Sequence, residues 1–161
     1  MNDGIELQNP NRYPVDGDRL VQAARAILTS HSNDQDASLC IAIADAGAIK
    51  ALNLKFAFTD APTDALSFPA QPWPDASGET GKYLGDIVIA HDYVSAQACA
   101  LDALLNDILC LLVIHGTLHL LGFAHDTAAA KDRMWAAQDA ALRSLNIDPA
   151  LVASYGSLED D

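Results

Sequence analysis

Between Asp107 and Asp126 the chain runs for 18 residues, Ile108 to His125, without a formal charge. That length is the lower edge for a helix that crosses a bilayer. Three histidines and two glycines, Gly116 and Gly122, lie inside it, and so many polar groups are costly in lipid. The remaining reading is a helix buried in a protein core. A chain of 161 residues, half of them hydrophobic and 19% charged, is long enough to supply one such core.

Around this segment the apolar pattern alternates between the strand and helix periods. Ile5 to Gln8 reads as a short strand, and Asp16 or Asp18 as the cap of a helix running to about Leu28. Leu20, Val21, Ala24, Ile27 and Leu28 share one face of it. His31 to Asp36 is a polar loop, Leu39 to Ala44 a buried strand, and Asp45 caps a helix through about Phe56. From Thr59 to Tyr83 four prolines and two glycines impose loop, apart from a short edge strand at Ala65–Phe68. Leu84–Ala90 is the next strand, and helices follow at about Asp92–Leu101, Ala103–Leu121 and Ala128–Leu145. Interleaved helices and strands with no repeat or linker give one α/β or α+β domain. The last fourteen residues, ending Glu159-Asp160-Asp161, read as a loose acidic tail.

The formal charge is −13, and no Lys or Arg occurs between Lys82 and Lys131. A broad basic face for nucleic acid is therefore not expected, although a small local basic pocket is compatible with the sequence. The charge itself favours solubility through self-repulsion. Cys40, Cys99 and Cys110 are odd in number and form no Cys-x-x-Cys pair. Cys40 and Cys110 lie in apolar runs and read as small buried hydrophobes, so a reduced, cytoplasmic setting is expected. The N-terminal residues have neither the basic nor the apolar region of a secretory signal.

His115, His119 and His125 fall within eleven residues. Four helical residues advance about 6 Å and just over one turn, so His115 and His119 point from one face. Gly122 is placed to end the helix in a left-handed turn, after which the chain can bring His125 back. Three neutral imidazoles on a tetrahedral ion leave one position open, as catalytic rather than structural zinc sites do. We expect one divalent ion, zinc, per chain. The position next to the first histidine, which holds the general base of the His-Glu-x-x-His proteases, is Gly116. Peptidase chemistry of that type is disfavoured.

His115-Gly-x-Leu-His119-Leu-x-Gly122-Phe-x-His125 resembles the signature of the bacterial YbeY family of rRNA-maturation endoribonucleases. Pro62 to Phe68 (PTDALSF), Leu84 to Ile89 (LGDIVI), Leu52-Asn53 and Met134 agree with it in the same order. The resemblance implies an α+β, α/β-like single domain, a small mixed sheet flanked by helices, with the metal site at the C-terminal end of a central buried helix. Residues 1–161 would then be one metal-binding, endoribonuclease-like domain with a loose acidic tail from about residue 148. The implied function is metal-dependent cleavage of single-stranded RNA in 16S rRNA maturation and ribosome quality control. Its partners would be rRNA or a ribosomal subunit, with no membrane and no DNA. A metal-dependent hydrolase of another substrate and a non-catalytic ribosome-assembly factor are the rival readings.

Two positions depart from the family pattern. Ala57 stands where the family usually has an arginine, and Ala124 where it usually has an aspartate. The first removes a forked cation suited to phosphate, for which Arg12, Arg19, Lys50 and Lys82 are candidate replacements. The second removes a carboxylate able to orient a metal-bound imidazole, for which Asp126, Asp64 and Asp86 are candidates. Catalytic parts fall to His115 and to Asp64, the latter read equally well as a turn or cap residue. Ser67 reads as a strand residue and Asp86 as a structural hydrogen-bonder. His31 and His91 read as solvated, and Trp73 and Trp135 as packing residues.

Overall fold

A computed structural model describes residues 4–32, 37–57, 64–70 and 83–155. The elements run β1 (Ile5–Gln8), α1 (Gly17–His31), β2 (Ser38–Ala44), α2 (Ala46–Ala57), β3 (Ala65–Pro69), β4 (Tyr83–Ala90), α3 (His91–Leu101), α4 (Leu105–Leu120), α5 (Ala128–Ser144) and α6 (Ala150–Tyr155). Side-chain caps start several helices. Asp16 accepts from Arg19 N at 3.3 Å, Asp45 from Ala48 N at 2.7 Å and Thr127 from Ala130 N at 3.0 Å.

The sheet order is β1-β2-β4-β3. The first three strands are parallel and β3 lies antiparallel on the β4 edge, so the sheet is mixed. Successive strand residues face opposite ways. Ile5, Leu39, Ile41, Ile43, Ile87 and Ile89 join the main core with α1, α4 and α5. On the other face Val88, Ala90, Leu66 and Phe68 pack with Ile49 of α2. Every residue of α4 from Ile108 to Leu118 is buried, which is the solution the uncharged run required. Among the described residues no helix is long and apolar enough to cross a membrane.

Gly116 marks where α4 meets the sheet. A Cβ there would sit 3.1 Å from Ile87 Cδ1 and 3.1 Å from Ser67 Oγ. The glycine next to His115 therefore suits close packing: a Cβ at that point would require Ile87 and Ser67 to give by a few tenths of an ångström. Cys40 and Cys110 are buried, and burial raises both thiols to about 11, so they behave as the small hydrophobes expected.

Two expectations are corrected. The loose tail from about residue 148 does not hold through Tyr155, because residues 150–155 form α6 with Val152 and Tyr155 buried. The Tyr155 hydroxyl donates to Asp64 Oδ2 at 2.8 Å, which pins this helix beside the start of β3; residues 156–161 lie outside the described part. His91 is not solvated. It is buried, stacked on the Tyr13 ring at 4.0 Å between centroids, with Nδ1 3.1 Å from Asp92 Oδ1. His31 is exposed as expected, its ring edge-on to Phe123. Most of the 59–83 loop, with Pro62, Thr63, Trp73 and Lys82, lies outside the described residues.

Candidate metal centre

His115 and His119 project from the last turns of α4. The helix then stops by a left-handed turn at Gly122, whose φ is +100°. Gly122 N donates to His119 O at 3.0 Å and Phe123 N to Leu118 O at 3.0 Å, the paired bonds of a glycine-terminated helix. This reversal returns His125 to the other two. Ligating nitrogens of the three residues all lie within 4.8 Å of one another. His115 is buried and the other two are half-buried, so one side of the cluster is closed and the other opens toward solvent.

The protons on these rings follow from their partners. His115 Nδ1 lies 2.6 Å from Gln138 Oε1, and His119 Nδ1 lies 3.1 Å from the Phe123 carbonyl oxygen. With the Gln138 amide in this orientation both oxygens accept, which puts the ring protons on Nδ1 and leaves both Nε2 atoms with a lone pair. Those two Nε2 atoms face each other at 3.0 Å. Nε2 of His125 is buried with no hydrogen-bond partner. Facing lone pairs repel unless a cation lies between them. Two nitrogens on a tetrahedral zinc ion stand about 3.3 Å apart, close to what the α4 pair already has. The donor set fits a divalent ion that accepts imidazole.

Burial is the main reason that His115 is pushed down to about 3, with the neighbouring His119 and His125 adding to the shift and the bond to Gln138 opposing it. His119 is also lowered, again chiefly by burial. Near neutral pH both rings are neutral, the form that ligates metal. The Trp135 ring lies beside the cluster, 5.9 Å from His115 and 5.7 Å from His125. It is a packing residue, as the sequence suggested, but one that packs on the cluster itself.

The other candidates sit elsewhere. Asp64 is buried. Its Oδ1 accepts from Ala65 N at 2.7 Å and its Oδ2 from Tyr155, and its carbonyl oxygen accepts from Ala90 N at 2.8 Å. It is not a member of the three-histidine group, which stands alone of its kind among the described residues. Asp86 points to the sheet face away from α4, where its carboxylate accepts from the Tyr83 hydroxyl. Asp126 is exposed. The partner that orients His115 is instead Gln138, which the sequence reading passed over. It occupies the apolar stripe of α5 with Met134, Ala137, Ala141 and Leu142, and a polar residue on such a stripe was the available signal. Of the suggested cations, Arg19 is engaged with the Leu145 carbonyl at 2.7 Å. The basic groups beside the metal loop are Arg133, in a cleft of about 380 Å³ lined also by Gly122, Phe123 and Ala124, and Lys131, over the Trp135 ring at 5.2 Å.

Fold and site together define a single-domain α+β protein with a three-imidazole centre at the end of its buried helix. The family model described as Endoribonuclease YbeY matches residues 6–146. A protein of Azorhizobium caulinodans named Endoribonuclease YbeY is 38% identical over 146 residues, covering 89% of this chain and 91% of the relative. One of that name from Mycobacterium ulcerans is 34% identical over 140 residues, covering 84% and 79%. The chain belongs to the YbeY family. A solution structure of a Thermotoga maritima protein superposes with a TM-score of 0.58 at 20% identity, covering 88% of this chain and 91% of the other, and supports the fold alone.

Proposed function

We propose that this protein is a zinc-dependent endoribonuclease that cleaves single-stranded RNA in 16S rRNA maturation and ribosome quality control in the cytoplasm. Membership of a family described as endoribonucleases supports the reaction class. The carrying observation is the convergence of three imidazoles, with Nε2 of His115 and His119 facing each other at 3.0 Å and the ligating nitrogens of all three within 4.8 Å. One zinc ion per chain, held by His115, His119 and His125, would supply Lewis-acid chemistry to a phosphodiester. His115 takes part as a ligand. Asp64, with its carboxylate held by Tyr155 and Ala65, fixes the start of β3 beside the histidine helix; a direct catalytic part for it is tested by Asp64→Asn. Arg133 and Lys131 offer positive charge to the strand in place of the arginine that Ala57 replaces.

The test is cleavage of a single-stranded rRNA fragment by zinc-loaded protein, with His115→Ala and Asp64→Asn alongside. Zinc-dependent cleavage that His115→Ala abolishes is the expected result. Co-sedimentation with ribosomes without cleavage would overturn the enzymatic reading in favour of an assembly factor.

A further inference from the structure

We propose that Gln138 is the positioning residue of the metal centre: its amide sets the tautomer of His115 and, by turning over, lets the three-histidine group stand with or without a cation. The proposal rests on the reading of this cluster as a metal site. Gln138 is fully buried on α5, with Oε1 2.6 Å from His115 Nδ1, while its Nε2 has no hydrogen-bond partner. A buried amide satisfied at one end only is uncommon and calls for a physical reason.

The two α4 histidines differ in what holds them. The partner of His119 Nδ1 is the Phe123 carbonyl, which can only accept, so Nε2 of His119 always presents a lone pair. The partner of His115 is an amide, with an acceptor and a donor about equally far from its pivot. With Oε1 toward His115, the ring proton sits on Nδ1 and Nε2 is ready for a cation. With the amide turned by half a revolution, its N–H donates to Nδ1 and the ring proton moves to Nε2. His115 Nε2–H then donates to His119 Nε2 across the same 3.0 Å gap. No proton is gained or lost: one moves from Nδ1 to Nε2 by exchange with water, and the hydrogen bond replaces the cation. A carboxylate at this position accepts in every orientation and would hold the cation-ready tautomer permanently. The amide therefore makes the metal exchangeable, at some cost in affinity.

The experiment records imidazole ¹⁵N shifts of His115 in chelator-treated and zinc-loaded protein, and measures zinc affinity by competition with a chromophoric chelator. The variants are Gln138→Glu and Gln138→Met. Wild type is expected to carry the His115 proton on Nε2 without zinc and on Nδ1 with it. Gln138→Glu should keep it on Nδ1 in both states and bind zinc about tenfold tighter or more. Gln138→Met should bind about 10–100-fold more weakly. A wild-type tautomer that is the same with and without zinc overturns the proposal, as does a Glu variant that binds no tighter than wild type. Should the Met variant fail to fold, the wild-type shifts and the Glu variant still decide. Failure of the metal reading is separate, since it appears as no zinc bound by wild type at all.

Discussion

Acid should unfold this protein through His115. The unfolded chain protonates a histidine near pH 6.5, whereas burial holds His115 at about 3 in the fold. Between these values the folded form binds fewer protons than the unfolded one. The stability held by a neutral His115 is therefore fully present above about pH 6.5 and is lost progressively as pH falls toward 3. The slope approaches about 1.4 kcal/mol per pH unit for one group, or roughly 2–3 kcal/mol between about pH 7 and pH 4.5. Domains of this size are stable by about 5–15 kcal/mol, so one ring accounts for a large share. The assay is urea unfolding followed by circular dichroism at several pH values, in chelator, for wild type and His115→Gln. Groups remote from the cluster contribute equally to both proteins and cancel in the comparison. Wild type should lose about 2–3 kcal/mol more than the variant over that range. Equal slopes would refute the reasoning, because His115 would then accept a proton in the fold as easily as outside it.

Tyr155→Phe should cost about 1–3 kcal/mol in urea unfolding, because it removes a donor from a buried Asp64 oxygen; an unchanged midpoint would mean that α6 is held by apolar contacts alone. Gly116→Val should cost about 1–3 kcal/mol by overpacking against Ile87 and Ser67, and a neutral result would mean that the approach of α4 to the sheet has slack. Chelation should lower the thermal midpoint, and added zinc should restore it in wild type but not in His119→Ala, since an ion that binds the native state adds stability by mass action.

The local rules carried the fold a long way. Alternation in β1 and apolar runs at β2 and β4 located these strands within a residue or two, and Asp16 and Asp45 began the helices they were read to cap. Spacing alone placed His115, His119 and the reversal at Gly122. What failed depended on partners distant in sequence. α6 has six residues, too few to display a period, and it is held by core contacts of Val152 and Tyr155 and by Asp64, 91 positions from Tyr155. The burial of His91 depends on a ring at Tyr13, which no local pattern reveals. Gln138 lies 23 residues from the histidine it serves, and only the packing of α5 on α4 makes it more than a polar interruption. The positions of Arg133 and Lys131 beside the metal loop depend on that same contact.

Because the chain reverses at Gly122, the third imidazole is only six residues beyond the second. The entropy lost on closing a loop grows with the logarithm of its length, so clipping these residues together removes little freedom from the unfolded chain. An ion held here would act less as a cross-link than as a clasp, rewarding one local shape. It would ask nothing of β1 or of α6, because α4 and its following turn carry all three histidines. Such a clasp would tie together a few residues at the end of one helix, with no strand of the sheet among them.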